Sequence, residues 1–199
     1  MFFISIYMGF DGLLYNSLQQ YFTDNSMNEK LNKTLDKQDG LSLRLIDWFI
    51  TNYSKKNNIY YLIYKTPKGN LTLQDKGNVI DSQFNVYQSY KSQLKAYSKK
   101  KFDPFCRRER IVFTSPGGSI ETTVGQLNFF KWALNNLVID YIETHKQDIE
   151  DDMNDSLKSI KLKYDVKNNK GTRKKRQELS LSASRGLNRN QVSVLLDFN

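Results

Sequence analysis

The chain has 199 residues, 30 Lys+Arg against 21 Asp+Glu and a formal net charge of +9, which fits one or two domains and excludes a large multidomain machine. Leu, Ile, Val and Phe (22, 13, 8 and 12 residues) make up more than the roughly 20% below which highly charged chains stay disordered, so a packed core is expected. No apolar run approaches the roughly 18 residues that span a bilayer, and the opening Met1-Phe2-Phe3-Ile4 lacks the basic flank and small-residue cleavage site of a secretory leader; these features predict a soluble, intracellular chain.

The chain opens with eight apolar-leaning residues, after which Leu13, Leu14, Leu18, Tyr21 and Phe22 recur at helical spacing and predict a helix over 12–22. Residues 23–40 are polar and mixed in sign, with only Met27, Leu31 and Leu35 in register. They read as a marginal helix or a linker, so 1–40 is expected to be a weakly ordered N-terminal extension. From Ser42, Leu45, Ile46, Trp48, Phe49, Ile50 and Tyr53 predict a helix ending at Lys55-Lys56-Asn57-Asn58, where an Asn suits the left-handed cap. The aromatic, β-branched run Ile59–Tyr64, turn residues Thr66–Asn70 and Leu71-Thr72-Leu73 predict a hairpin.

Phe84, Tyr87, Tyr90, Leu94 and Tyr97 predict an amphipathic helix over 84–98, and Pro104 prevents its continuation. Arg110–Thr114 and Ser119–Glu121 flank Pro116-Gly117-Gly118 as a second hairpin. Thr123 and Gln126 make a capping box that opens a helical region over 124–157, breakable at Asn135-Asn136 and His145-Lys146. Trp48, Phe49, Leu127, Phe130, Trp132, Leu134 and Tyr141 are the expected core anchors. Residues 158–177 are rich in Lys, Asn and Gly and are expected to be a flexible basic linker. Leu179, Leu181, Ala183 and Val192, Val194, Leu196, Phe198 alternate with other residues, which predicts a C-terminal β-hairpin over 178–199. The expected architecture is α+β: a small helical core over 41–157 with short hairpins, the basic linker and the terminal hairpin.

Charge alternates along the chain. Residues 1–40 carry 3 basic and 5 acidic groups, 41–110 carry 14 and 5, 111–155 carry 2 and 8, and 156–199 carry 11 and 3. Two basic blocks flanking an acidic one fit an anionic partner, self-association, or balanced solvation. The abundance of Lys (22) and Asn (19) also follows from AT-rich coding DNA.

The first candidate site is Lys99-Lys100-Lys101-Phe102-Asp103-Pro104-Phe105-Cys106-Arg107-Arg108-Glu109-Arg110, six cations around two aromatics. Such interleaving holds phosphates while rings meet bases, and it also fits a helix end with solvated charges. The second is Arg173-Lys174-Lys175-Arg176, a phosphate-contacting arm, an import signal or a solvated linker. Cys106, the single cysteine, cannot form an internal disulfide and is expected to be buried and inert, while His145 is expected to be a helix cap or a partly exposed side chain. Together they fall short of a four-ligand zinc site. The series Glu143, Asp148, Glu150, Asp151, Asp152, Asp155 lacks the spacing and glycine of a calcium loop, so no metal or cofactor is expected. No Walker lysine loop, Gly-x-Gly-x-x-Gly or Gly-x-Ser-x-Gly is present, and no enzymatic role or small-molecule substrate is expected.

Four stretches carry a family likeness: Leu43–Tyr53, Phe102–Ile111, Thr123–Ala133 and Arg173–Ser180. As a set they resemble small uncharacterised proteins of nucleocytoplasmic large DNA viruses, of the mimivirus and algal-virus kind, over most of residues 41–199. That resemblance implies a viral source and no mechanism. The expectation is a non-enzymatic viral protein that binds nucleic acid or a nucleoprotein assembly through its basic clusters, in the host cytoplasm, viral factory or nucleus. The alternative is a minor virion structural protein that binds other viral proteins.

Overall fold

The computed structural model describes residues 10–36 and 40–168, and the fold is α+β. Helix α1 (Phe10–Tyr21) brings Leu14, Leu18 and, just past its end, Phe22 inward at steps of four. Helix α2 (Asn25–Leu35) begins at Asp24, whose carboxylate accepts from the Ser26 and Met27 N–H groups at 2.8 and 3.4 Å. Those bonds, Ser26's first, hold the Asp24 carboxyl below its usual value.

The weakly ordered extension expected over 1–40 is corrected for residues 10–36. Leu31 is fully buried, buried Asn28 accepts from Ser115 Oγ at 2.9 Å, and buried Thr34 donates to the Lys30 carbonyl at 3.0 Å. Lys131 donates to Ser17 Oγ at 2.8 Å, and Lys30 pairs with Asp140 at 3.2 Å. The burial of α2 is thus a tertiary effect that its thin apolar stripe does not announce.

Helix α3 (Leu43–Trp48) is capped by Ser42, whose hydroxyl accepts from Leu45 N at 3.1 Å. It runs through a π-helical turn (Phe49–Tyr53) into the short α4 (Ser54–Lys56). Adjacent Phe49 and Ile50 are both buried in this turn, while half-buried Trp48 donates its indole N–H to Asp152 at 3.1 Å. Asn58 takes the left-handed conformation at φ 47°, as the sequence leads one to expect.

Strand β1 (Tyr60–Lys65) lies at the centre of a three-stranded antiparallel sheet in the order β2-β1-β3, with β2 (Leu71–Thr72) and β3 (Val79–Asn85). The expected pairing of β1 with residues after the 66–70 turn exists but is two residues long. The longer ladder, Tyr60↔Asn85 through Lys65↔Val79, joins β3, with Asp81 as an extra residue where the register shifts. Residues 79–83 are all exposed, so no alternation marks them as a strand. Helix α5 (Val86–Lys101) consequently starts at the Asn85 cap, two residues later than expected, and Phe84 belongs to β3.

Strands β4 (Ile111–Ser115) and β5 (Gly118–Thr122) form the second expected hairpin, with Gly118 at φ 120° in a conformation that favours glycine. Thr123 then caps α6 (Val124–Asn135), accepting from Gln126 N at 3.1 Å. The two expected breaks are present: left-handed Leu137 (φ 54°) separates α6 from α7 (Val138–Thr144), and His145 separates α7 from α8 (Lys146–Asn168).

Helix α6 occupies the centre of the core, with Leu127, Phe129, Phe130, Trp132, Ala133 and Leu134 buried. Of the expected anchors, Phe49, Leu127, Phe130, Trp132 and Leu134 are buried, whereas Trp48 and Tyr141 are half-buried against the core. Helix α8 contributes Ile149 and half-buried Met153 near its start. The chain divides into two units at Leu157/Lys158, and the described residues of the second are the end of α8. The helix therefore continues through 158–168, where a flexible linker is expected from composition. The Arg173–Arg176 run and the 178–199 hairpin lie outside the described residues.

Candidate nucleic-acid interface

The 99–110 segment begins where Ser98, at φ 55°, interrupts the regular path of α5. Its next residues are tied to α6 by backbone contacts. Asn128 Nδ2 donates to the Lys101 carbonyl at 2.9 Å, Asp103 N donates to the Gly125 carbonyl at 3.2 Å, and buried Gln126 Nε2 donates to the Pro104 carbonyl at 2.8 Å. Gly125 permits this approach, since a Cβ there would stand 3.0 Å from the Lys100 carbonyl oxygen. Phe102 is buried among Tyr90, Phe129 and Trp132, with ring centroids 5.3 to 6.0 Å away. This aromatic anchoring fixes the loop against the core.

Asp103, also buried, organises the residues that follow. Its Oδ1 accepts from Phe105 N at 3.1 Å, and its two oxygens accept from Arg107 Nη2 and Nε at 2.9 and 3.1 Å, a bidentate pair. That pair, through its hydrogen bonds first, raises the already high Arg107 pKa. The Arg107 guanidinium carbon lies 4.5 Å from the Phe105 ring centroid, and its side chain remains 64% exposed. Arg107 N also donates to the Phe105 carbonyl at 3.0 Å, closing a three-residue turn around Cys106. Cys106 is half-buried, not the fully buried thiol expected.

Half-buried Asp47 on α3 faces the same neighbourhood. Burial raises its carboxyl pKa and the Asp103 charge adds to the rise, while the Arg107 and Lys99 charges oppose it. Arg110 is engaged elsewhere, pairing with Glu121 across the β4–β5 hairpin at 2.7 Å.

The six expected cations therefore separate, and Lys101 is half-buried with its carbonyl bound by Asn128. Arg107 and Arg110 are bound to carboxylates. Lys99, Lys100 and Arg108 are exposed and show no ion pair among the described residues. Exposed Lys91 and Lys95 lie one turn apart on α5, and the Lys55 and Lys91 ammonium groups are each 5.6 Å from the half-buried Tyr87 ring. The sequence reading missed Asp103 and Asp47 as organisers. The i, i+4 spacing of Asp103 and Arg107 was the available signal for the first, whereas nothing local marks the second.

His145 is half-buried, with Nδ1 2.9 Å from the Tyr141 carbonyl and its ring stacked on Tyr141 at 4.1 Å. In the acidic series, Asp152 accepts from Trp48 and from Lys56, and among the described residues no three His, Cys, Asp or Glu side chains gather as a metal site. No helix among the described residues is long and apolar enough to cross a membrane.

Fold and site together define a small α+β protein that carries a basic loop pinned against its central helix. The chain belongs to DUF7197, a family of unknown function whose family model matches residues 9–178. It is similar to the uncharacterised protein L507 of Acanthamoeba polyphaga mimivirus, with 39% identity over 137 residues, 66% of this chain and 48% of that protein. The chain thus spans about half the length of the curated relative it matches. No solved structure matches it. The likeness to uncharacterised proteins of large DNA viruses is therefore found, and the family match begins at residue 9, so it takes in the N-terminal helices that the sequence reading set apart.

Proposed function

We propose that the protein is a non-catalytic binder of nucleic acid, or of a nucleoprotein assembly, through phosphate contacts. The observation that carries this reading is the exposed set Lys99, Lys100 and Arg108, without ion pairs among the described residues, at the end of α5 and on the loop after it, a junction pinned to α6. Lys91 and Lys95 extend the charge along α5, and the Arg173–Arg176 run is a second candidate arm. A backbone already held in place lowers the ordering entropy lost when its cations meet phosphates. Such binding is independent of sequence and falls steeply with salt.

The test is anisotropy on a labelled duplex and a labelled single strand across a salt series, comparing the parent with a Lys99→Ala/Lys100→Ala/Arg108→Ala variant. The slope of log affinity against log salt becomes shallower by about 2 to 3 if all three contact phosphates. An unchanged slope on both probes, or a parent that binds neither duplex nor single strand at about 100 mM salt, overturns the reading.

A second reading, a minor virion component that binds other viral proteins, is favoured by apolar side chains left outside the core: Val79, Val112, Tyr60 and Ile80 are 73, 70, 60 and 58% exposed. Mass spectrometry of purified virions decides it, with absence from the particle counting against it.

A further inference from the structure

We infer that the nucleic acid bound is single-stranded, and that Arg107 is a stacking platform for one base and not a phosphate contact. This rests on the nucleic-acid reading above. Three features of Arg107 set it apart from the other cations of the segment. Both oxygens of buried Asp103 hold its Nε and Nη2, so its charge is already matched and its guanidinium plane is fixed. The Phe105 ring lies 4.5 Å from the guanidinium carbon, and the side chain is still 64% exposed. A guanidinium bound along one edge, backed by a ring and open to solvent, offers a flat cation to a π-face.

The surroundings supply the remainder of a single-strand site. Exposed Lys99 and Lys100 at the end of α5 and the adjoining, exposed Arg108 are cations for the phosphates that flank a stacked base. Farther along α5, the Tyr87 ring with Lys55 and Lys91 each 5.6 Å from its centroid repeats the combination of ring and cation. In a duplex the base faces are occupied by neighbouring bases, so a lone flat platform has nothing to stack on; in a single strand each base has a free π-face. Pinning Arg107 also explains why the loop uses a buried aspartate beside cations that would otherwise be free to bind phosphates.

The experiment measures binding of the unaltered full chain to three probes of equal phosphate number at about 100 mM salt: a thymidine oligonucleotide, the same backbone with abasic sites, and a duplex. The thymidine strand binds about 5- to 150-fold more tightly than the abasic strand, the worth of one stacked base. Arg107→Lys, which keeps the charge and loses the plane, reduces thymidine-strand binding by a comparable factor and leaves the salt slope and the duplex affinity as in the parent. Equal binding of the thymidine and abasic strands overturns the stacking role while leaving the phosphate reading in place. So does an Arg107→Lys variant that changes strand and duplex alike. A parent that binds none of the three probes overturns both.

Discussion

Within twelve residues the basic segment has two halves of opposite physics. Phe102, Asp103 and Pro104 are buried, Asp103 and Pro104 hydrogen-bonded to α6 and Phe102 packed among aromatic rings, whereas Lys99, Lys100 and Arg108 stand in solvent with no ion pair among the described residues. The buried half sets the geometry and the exposed half carries the charge. A charged surface becomes a site when something under it holds it still, and here the holding comes from a ring cluster, one glycine and one carboxylate.

Mutations in the two halves should accordingly separate stability from binding. The largest effect belongs to Phe102→Ala, which removes a fully buried ring and costs about 3 to 5 kcal/mol of unfolding free energy in urea titration. A loss below about 1 kcal/mol would mean that the loop is not anchored through this ring. Asp103→Ala comes next. It leaves the Phe105 N–H without its acceptor and frees Arg107, costing roughly 1 to 3 kcal/mol. Because it also releases a cation, it should steepen the salt dependence of duplex binding, which no simple loss of packing does. Thr123→Ala, which strips the buried cap of α6, should cost about 1 kcal/mol, with Thr123→Ser recovering most of it.

The smallest effect is a pH dependence. Burial raises the Asp47 carboxyl above its usual value of 3.8, so the folded state holds a proton that the unfolded state has released. Stability linked to this group is full below 3.8 and declines as pH rises through the folded-state pKa. An Asp47→Asn variant should therefore gain on the parent between acidic and neutral pH in denaturation midpoint. A gap between the two proteins that stays constant, or narrows, as pH rises would show that Asp47 is not held in this way.

Much of the helical framework was legible because its signals are local. Thr123 caps where the sequence says it caps, the helix read from Ser42 onward begins there, Asn58 takes the left-handed turn, and the long apolar run after Thr123 breaks at Asn135-Asn136 and at His145. The β4–β5 hairpin follows from Pro116-Gly117-Gly118 between two β-prone runs. Strand β3 escaped because its exposed residues show no alternation, and a period-2 signal exists only where one face of a strand is buried.

The amino-acid sequence by itself determined the Thr123 cap and the two breaks in the helical run after it, the excess of cations in residues 99–110 and the family likeness, since capping, turn chemistry and net charge depend on neighbours in the chain. Tertiary structure alone decided the rest. It drew α2 into the core through Asn28, Leu31 and Thr34, made β3 the main partner of β1, and set the carboxylate-bound Arg107 and Arg110 apart from the exposed Lys99, Lys100 and Arg108. The physical reason is that burial and charge pairing depend on which groups meet in space. Asp103 is buried where the loop backbone meets α6 and binds Arg107, and Arg108, one residue along, meets no such carboxylate among the described residues.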